Sequence, residues 1–321
     1  MDLSIIIVNW NSTDYLRACL GSIYRFVRGI EFEVIVVDNA SNDPCEHMLR
    51  QEFPGVIFVQ SGANLGFARA NNLGFSHSTG EILLFLNPDT EVSDDSIVKM
   101  VHRLRATEGA AAAGARLLNT DGSLQTSCVQ SFPTIANQLL DFDFLRRKFP
   151  TSRLWGTRAL YRTDNRPAEV DALSGACFMM KRSIFERVGK FTETYFMYSD
   201  DLDLSYKIRK AGYRAIYLND CTITHHGEKS SEKREDNFAD LWQRESLAQF
   251  FRQAHGRVYS ATYRVAMACI AALRVGLALC LVAFGKSGFG NKRPASVLKK
   301  WSRIFRWAIG LEARQIRAEA R

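Results

Sequence analysis

Short apolar runs alternate with longer, polar-faced segments along the first third of the chain. Four of these runs are apolar and largely β-branched and end abruptly: Ser4 to Val8, Glu33 to Val37, Val56 to Val59 and Glu81 to Leu86. The segments between them carry apolar residues at helical spacing. This alternation predicts βαβ units, and hence an α/β fold with a mostly parallel, Rossmann-like sheet and helices on both faces.

Polar side chains follow each predicted strand. Asn9 follows the first run, Asp38 the second, Asn64 comes shortly after the third, and Asn87 and Asp89 follow the fourth. Taken singly, such residues are what any tight turn uses. Because the carboxyl ends of parallel strands meet at one edge, where such sheets bind their ligands, the four exits together predict a binding site.

The residue types at these exits suit a nucleotide and its phosphates. Asp38 can accept hydrogen bonds from a base or a ribose hydroxyl. The segment NLGFARANN runs from a loop into a helix, where backbone N–H groups and an arginine can meet phosphate. Its candidate residues are Asn64, Gly66, Arg69 and Asn71. The segment is neither a GxGxxG fingerprint nor a P-loop. Asp89 offers a hard oxygen ligand for Mg²⁺ or Mn²⁺ beside a diphosphate.

Three carboxylates open a later predicted helix. Asp200, Asp201 and Asp203 lie at the start of a helix predicted over Leu202 to Ala211 and closed by Gly212. Carboxylates in a first turn cap free N–H groups and suit the helix dipole, which accounts for one of them. Three together repel one another, so we expect at least one raised pKa, as a general base requires.

Two further segments bear on the substrates. The predicted strand LSGACFMMKR has small residues around Gly175, which permit close approach of a donor sugar; an ordinary packed strand is the alternative. Between residues 124 and 170 periodicity is lost, and arginines mix with aromatic residues. These aromatic residues are Phe132, Phe142, Phe144, Phe149, Trp155 and Tyr161. We interpret residues 124–170 as a partly mobile insertion on the acceptor side, with aromatic surface for a sugar or lipid; a hydrophobic flap serving only stability is the alternative.

Charge is distributed unevenly. The chain of 321 residues has a formal net charge of +8, yet residues 255–321 hold 13 Lys and Arg against 2 acidic residues. Residues 1–254 hold 29 basic and 32 acidic residues, which argues against a nucleic-acid groove there. Seven scattered cysteines without a CxxC pair predict no disulfide framework and a cytoplasmic location. The acidic, short apolar N-terminus reads as a first strand and not as a signal peptide.

The C-terminal region, residues 255–321, is predicted to be helical and to associate with a membrane. Val265 to Phe284 is apolar and long enough to span a bilayer, but Arg274 lies at its centre. That arginine costs about 2.5–3.5 kcal/mol on insertion scales, against about 0.3–0.6 gained per strongly apolar residue, so spanning is marginal. Basic residues mixed with Trp301 and Trp307 favour an interfacial helix on anionic lipid. A helical cap on the core, or a helix pair used in a homodimer, is the alternative.

Seven ordered motifs resemble the family-2 glycosyltransferases, and particularly their bacterial rhamnosyltransferase-like branch. They are SIIIVNWNS, VVDNASND, NLGFARANNLGF, LFLNPDTEV, GACFMMKRSIFERVGKF, FMYSDDLDLSYKIRKAGY and THHGEKSS, and they run from Leu3 to Ser231. The resemblance implies a GT-A domain over residues 1–254, a nucleoside-diphosphate-sugar donor of the dTDP or UDP type, a divalent cation and inversion at the anomeric carbon. The predicted membrane attachment agrees with a lipid-linked or cell-surface glycan acceptor, carried for instance on a polyprenyl diphosphate.

The resemblance assigns roles to individual positions. Asp38 corresponds to the carboxylate that contacts the nucleoside, and Asp89 to the last aspartate of the DxD motif, which binds metal and diphosphate. Asn87 replaces the first aspartate of that motif, so an oxygen ligand remains but its charge is lost. His225 resembles a histidine that approaches the same metal, although the sequence leaves His226 open.

The acid cluster also acquires roles from the resemblance. Asp201 is expected to be the base that takes the proton from the acceptor hydroxyl, with Asp200 and Asp203 holding the acceptor or the local structure. Two alternatives of other classes remain at this point. A nucleotidyltransferase would need a glycine-rich loop with a lysine near the N-terminus, which IIIVNWNSTDYL lacks. A nucleotide-sugar or membrane-binding module with a degenerate site is suggested only by Asn87.

Overall fold

The computed structural model describes residues 1–140, 143–227, 238–283 and 294–312, which form two compact units. The first comprises residues 1–132 and 146–233, and the second residues 133–145 and 234–321. The sequence led us to expect a boundary after residue 254. The helix Phe238–His255 instead belongs to the second unit, because it packs against the following helix Arg257–Ala283. Phe142, Phe284 and residues 228–231 of the last motif lie outside the described residues.

The first unit contains eleven strands within its described residues. They are β1 (Leu3–Asn9), β2 (Phe32–Asp38), β3 (Ile57–Gln60), β4 (Ile82–Leu86), β5 (Thr90–Val92), β6 (Ala110–Leu118), β7 (Val129–Gln130), β8 (Ala168–Val170), β9 (Ala172–Leu173), β10 (Cys177–Lys181) and β11 (Arg214–His225). The main sheet has the order β3-β2-β1-β4-β10-β6-β11-β5, with β8 on β11. A separate two-stranded sheet pairs β7 with β9.

Parallel pairing in this sheet confirms the predicted α/β fold. β3, β2, β1 and β4 are parallel neighbours, and β6 pairs in parallel with β11. The four predicted strands are all present, so their carboxyl ends share one edge as expected. β10 departs from this pattern, because it runs antiparallel to both β4 and β6.

Eleven helices lie within the described residues. They are α1 (Thr13–Phe26), α2 (Cys45–Glu52), α3 (Gly66–Ser76), α4 (Ser96–Ala106), α5 (Ile135–Leu139), α6 (Asp143–Lys148), α7 (Arg182–Arg187), α8 (Asp200–Lys210), α9 (Phe238–His255), α10 (Arg257–Ala283) and α11 (Pro294–Ala308). α8 matches the helix predicted over Leu202 to Ala211, and Gly212 follows it with a φ of +83°, as a helix-terminating glycine does.

The core of the first unit lies on both sides of the central strands. Consecutive residues of β1, from Leu3 to Ile7, are fully buried, which requires cover on both faces of the sheet. Phe85 of β4 packs its ring against those of Phe185 and Phe191, with centroids 5.0 and 4.8 Å apart. These contacts anchor the loop after Phe191, which leads into α8.

The second unit is helical. α10 packs against α9 and α11. Arg264 bonds Glu245 at 3.2 Å, and Trp307 donates its indole N–H to the same carboxylate at 2.7 Å. Arg274 stacks on the Trp301 ring, 4.2 Å from its centroid. By length and composition the segment Arg257–Cys280 of α10 could cross a membrane.

The predicted insertion, residues 124–170, consists of short elements where it is described. It includes β7, α5, α6, β8 and two 3₁₀ turns at Thr126–Cys128 and Thr157–Tyr161. Its aromatic residues do not behave alike: Phe144, Phe149 and Tyr161 are exposed, whereas Trp155 is buried. The residues form parts of both compact units.

Candidate active site

The exits of β1 and β2 hold the Asp38 carboxylate in place. Asn9 is paired with Asp38 across the two strands and donates its amide to Oδ1 at 3.0 Å. Oδ2 accepts from the Ser41 backbone N–H at 3.1 Å and from Gln60 at 2.9 Å. The turn is tight, because Ala40 adopts a left-handed φ of +59°. Asp38 is therefore oriented by three neighbouring donors at the strand ends, as a recognition carboxylate requires.

Asn39 connects this turn to the NLGF segment. Its Oδ1 accepts from the Leu65 N–H at 2.8 Å, and its Nδ2 donates to Asn64 Oδ1 at 3.0 Å. Asn64 Oδ1 also accepts from the N–H of Gly66 at 3.0 Å. The predicted residues Asn64 and Gly66 are thus brought beside Asp38. The bridging Asn39 was not singled out from sequence, since an asparagine in a turn carries no distinguishing signal.

Helix α3, which begins at Gly66, contacts the loop before α8. Phe67 donates its N–H to the carbonyl of Phe196 at 3.1 Å, and Arg69 donates Nε to the carbonyl of Glu193 at 3.1 Å. Asn71 is buried and donates to the Phe67 carbonyl of its own helix at 3.0 Å. Arg69 and Asn71 thus have protein partners, and their predicted phosphate contacts stay predictions.

Three side chains converge after β4 and at the end of β11. The His225 Nε2 atom lies 3.3 Å from Asp89 Oδ1 and 3.3 Å from Asn87 Nδ2. β5, which follows Asp89, pairs with the last residues of β11 and so brings the two segments together. The Asp89 carbonyl also accepts from the His226 N–H at 2.9 Å.

Gln125 determines which nitrogen of His225 carries the proton. Its Nε2 donates to the His225 carbonyl at 2.8 Å, which orients the amide so that Oε1 faces the ring. Oε1 then accepts from Nδ1–H of His225 at 2.9 Å. The Nε2 lone pair therefore points towards Asp89.

This arrangement fits a divalent cation. His225 Nε2 and Asp89 Oδ1 are two candidate ligand atoms 3.3 Å apart, and the Asn87 amide N–H also faces Nε2 at 3.3 Å. Two ligands on adjacent octahedral positions, each about 2.1 Å from Mg²⁺, would lie about 3 Å apart. Within the described ranges no group of three or more His, Cys, Asp or Glu side chains could hold a metal. Asp89 and His225 would hold the cation with Asn87 beside them, and other oxygen ligands are required.

His226, which the sequence left open, has other partners. Its Nε2 lies 2.7 Å from Glu91 Oε1, and its Nδ1 lies 3.0 Å from the Thr120 hydroxyl. Its ring also lies 5.9 Å from that of Tyr15. His225 Nε2 faces the predicted ligand Asp89, whereas His226 faces Glu91 and Thr120, so the geometry favours His225 as the ligand.

The acid cluster divides into one half-exposed and two buried carboxylates. Asp201 is half-buried, and its oxygens accept from the Gly175 N–H at 2.9 Å and from the Leu202 N–H at 2.8 Å. Asp203 is buried and accepts from the Thr192 hydroxyl at 2.5 Å, with Lys207 Nζ 3.5 Å away. The contacts of Asp203 are structural, because they join α8 to the preceding loop.

Asp200 is buried beside Asp201 and has one oxygen, Oδ2, without a hydrogen-bond partner in the described structure. Burial, with the nearby charge of Asp201, raises the pKa of Asp200 to about 8. Burial also raises the pKa of Asp201, but the N–H groups of Gly175 and Leu202 oppose that rise. We therefore assign the shared proton to Asp200 at neutral pH and the negative charge to Asp201.

The backbone before the cluster is strained. Tyr198 and Ser199 both adopt left-handed conformations, with φ of +67° and +61°, immediately before Asp200. Such conformations cost on the order of 1–3 kcal/mol each and persist only where surrounding contacts impose them. Strain of this kind is common at functional sites, and its position next to Asp200 supports the interpretation of the acid cluster as part of the active site.

Gly175 links the acid cluster to the predicted metal ligands. Its N–H binds Asp201, and the carbonyl of the next residue, Ala176, accepts from the Asn87 N–H at 3.0 Å. Added bulk at Gly175 would lie 3.5 Å from Asp201 Cβ and 3.3 Å from the Phe67 ring. The predicted base and the predicted metal ligands are therefore joined through two consecutive residues of one segment.

Comparison with known protein families places this site in context. A family model described as Glycosyl transferase family 2 matches residues 4–189. N-acetylglucosaminyl-diphospho-decaprenol L-rhamnosyltransferase of Mycobacterium tuberculosis is 29% identical over 243 residues, which cover 71% of this chain and 77% of that protein. Rhamnosyltransferase WbbL of Escherichia coli is 24% identical over 223 residues, 67% of this chain and 79% of that protein.

Solved structures agree on the fold. Mannosyltransferase PcManGT from Pyrobaculum calidifontis, in complex with GDP-Man and Mn²⁺, matches with a TM-score of 0.58 at 21% identity. The match covers 96% of this chain and 86% of that chain. At this identity the similarity shows the fold alone, and it confirms the predicted GT-A architecture.

Proposed function

This chain belongs to glycosyl transferase family 2 and is a glycosyltransferase, and we propose that it transfers rhamnose from a nucleoside-diphosphate donor to a lipid-linked glycan. The observation that carries this proposal is the convergence of Asn87, Asp89 and His225. The backbone of Gly175 and Ala176 connects this group to Asp201. The choice of rhamnose and of a polyprenyl-diphosphate-linked acceptor is supported by the names of the relatives. Family membership favours this reaction over a nucleotidyltransferase or a binding module.

In this proposal the donor lies along the shared edge of the parallel strands. Asp38 binds the nucleoside, which is of the dTDP or UDP type, and Asn9 orients that carboxylate. Asn64 and Gly66 lie beside it and face the phosphates. A divalent cation, when bound by Asp89 and His225, would neutralise charge that develops on the departing diphosphate.

Asp201 acts as the general base. One oxygen of its carboxylate takes the proton of the acceptor hydroxyl, while the hydroxyl oxygen forms a bond to C1 of the sugar. The bond between C1 and the diphosphate oxygen breaks on the opposite side, which inverts the anomeric configuration. Buried Asp200 keeps its proton and so avoids a second negative charge beside the base.

A lipid-linked acceptor would require the enzyme to work at the cytoplasmic face of a membrane. The long apolar helix α10 and the basic residues of α11 support peripheral attachment, as expected for an enzyme that extends a lipid-carried glycan in cell-envelope or O-antigen synthesis. A homodimer formed through these helices is the competing use of the same surface. Transfer of another hexose is the second candidate, because the contacts described above do not depend on a particular sugar.

Release of nucleoside diphosphate from a panel of sugar nucleotides tests this function. Detergent-solubilised full chain is assayed with Mn²⁺ or Mg²⁺, and again with chelator. We expect chelator-sensitive release from one donor, dTDP-rhamnose first, and no release by Asp89→Ala. Release that persists with chelator, or that is equal in Asp89→Ala, would contradict the metal assignment.

A second variant tests the base. We expect Asp201→Asn to lower kcat by about 10²–10⁴-fold while donor affinity is retained, because only the proton acceptor is lost. Asp203→Asn is the matched control in the same cluster, and we expect it to keep turnover within about tenfold, because its contacts with Thr192 and Lys207 are structural. If both variants lost kcat equally, Asp201 could not be distinguished as the base from Asp203 as a structural carboxylate.

A further inference from the structure

One surface loop combines strong positive charge with exposed apolar side chains. This loop, residues 146–162, is called the basic loop below; it contains six Lys and Arg and no acidic residue. The rest of residues 1–254 holds 23 basic and 32 acidic residues. The positive charge of the basic loop is therefore a local feature of a body that is otherwise acidic.

The basic loop has a defined shape. Trp155 is buried, its indole N–H donates to the Phe149 carbonyl at 3.0 Å, and its own carbonyl accepts from the Ser131 N–H at 2.9 Å. The Thr157 hydroxyl donates to the carbonyl of Pro150 at 2.6 Å. Gly156 follows Trp155 with a φ of +72°, where a side chain would collide with the backbone of Ser131 and its neighbour. This framework holds the exposed residues in fixed positions.

The basic loop exposes both apolar and cationic side chains to solvent. Phe149 is 52% exposed and Leu154 is 41% exposed, on either side of a turn closed by the Trp155 contacts. Arg153 and Arg158 are exposed and have no salt-bridge partner among the described residues. Arg162 is different, since it is paired with Asp164 at 2.6 Å.

We propose that the basic loop docks the enzyme onto the anionic surface of a phospholipid bilayer. Arg153 and Arg158 would bind lipid phosphates, while Phe149 and Leu154 enter the headgroup region. A polyanionic glycan would satisfy the arginines but would leave these two apolar side chains in water, so the combination favours lipid. The inference rests on the proposed lipid-linked acceptor, and it assigns a membrane contact to the catalytic unit itself.

Binding of full-length protein to vesicles tests this proposal without donor or acceptor, so its outcome is independent of the transfer reaction. Vesicles of phosphatidylcholine alone are compared with vesicles that also contain phosphatidylglycerol. We expect Arg153→Glu/Arg158→Glu to weaken binding to the anionic vesicles by about tenfold or more. The control is Arg25→Glu/Arg28→Glu, which changes the net charge equally at another exposed site and is expected to stay within about twofold.

A local probe separates the basic loop from other membrane contacts. A Leu154→Cys variant, in which the exposed Cys269 and Cys280 are replaced by serine, is labelled with a polarity-sensitive fluorophore. We expect a blue shift on anionic vesicles and quenching by brominated lipid. A probe that stays in water while the protein is bound would overturn the proposal. Equal binding of the two charge-reversed variants to the anionic vesicles would also overturn it.

Discussion

At the scale of single residues, the site depends on neighbours that select the chemical state of the reacting groups. His225 and His226 are adjacent in sequence and identical in type, yet their partners separate them. The nitrogens of His226 face Glu91 and Thr120, whereas Gln125 holds His225 Nδ1 and directs its Nε2 towards Asp89. Similarly, burial gives Asp200 the proton and leaves Asp201 as the charged member of the pair.

Gln125 is expected to govern metal affinity without being a ligand. Gln125→Met removes the acceptor for Nδ1–H of His225, so the ring proton can move to Nε2, the nitrogen that faces Asp89. We expect Mn²⁺ affinity to fall about 10–100-fold, measured by electron paramagnetic resonance of free Mn²⁺. Nitrogen-15 NMR of the metal-free protein should show the change of His225 tautomer directly.

The conservative control is Gln125→Glu, which keeps an oxygen to accept from Nδ1–H but loses the donor to the His225 carbonyl. We expect it to retain the tautomer of the wild type. If Gln125→Met binds Mn²⁺ as tightly as the wild type with an unchanged tautomer, the orienting role of Gln125 is wrong.

Asp200 is expected to make folding stability depend on pH. The ordinary pKa of an aspartate is 3.8, and burial raises the pKa of Asp200 to about 8 in the folded protein. Between these two pH values the folded state keeps a proton that the unfolded state has lost. The free energy of unfolding should therefore fall as pH rises from about 4 to about 8, by at most about 1.4 kcal/mol per pH unit. Below pH 4 both states are protonated, and above pH 8 both are ionised, so this contribution levels off.

Asp200→Asn isolates that contribution, because asparagine resembles the neutral acid in size and keeps the acceptor for the Asp201 N–H. The difference in urea stability between wild type and Asp200→Asn should change across this pH window in favour of the variant. A difference that stays constant with pH would show that Asp200 is ionised in the folded protein.

At the scale of elements, strand ends were readable from sequence, but the contacts that complete the site were not. The apolar runs predicted β1 to β4 closely, and parallel pairing brought Asn9, Asp38 and Asp89 to one edge. Gln125 could not be found, because it lies in an aperiodic segment 100 positions from the histidine that it contacts. β10 was predicted as a strand within LSGACFMMKR, but its antiparallel direction was not, since strand direction is set by long-range packing and not by local pattern.

Gly66 is expected to couple α3 to the loop before α8. Its φ is +75°, and a methyl group there would collide with the Phe196 carbonyl. We expect Gly66→Ala to lower the free energy of unfolding by about 1–3 kcal/mol, measured by urea denaturation. Gly62→Ala is the control, because the space around Gly62 is open. Equal stability of both variants would mean that the loop yields without cost.

At the scale of the whole molecule, the proposed membrane attachment rests on charge and on exposed apolar surface. The chain carries a net charge of +8, concentrated in the basic loop and in residues 255–321. α10 exposes apolar side chains such as Val265 and Leu273, 63% and 72% exposed. Its central Arg274 instead stacks on Trp301 of α11, so the arginine does not project alone from the apolar helix. Packing thereby resolves the conflict that the sequence posed at this arginine.

This packing predicts attachment to one face of the membrane. If α10 crossed the bilayer with its Arg274–Trp301 contact intact, α11 would enter the bilayer too, together with its charged Lys299 and Arg303. If α11 stayed outside, Arg274 would lie in hydrocarbon without Trp301, at a cost of about 2.5–3.5 kcal/mol. We therefore expect an alkaline carbonate wash to release the full-length protein from membranes, whereas a spanning chain would stay in the pellet. Arg274→Leu removes both the charge and the contact with Trp301, so it should increase the carbonate-resistant fraction. Wild-type protein that resists the wash as fully as an integral marker would show that α10 spans the bilayer despite its arginine.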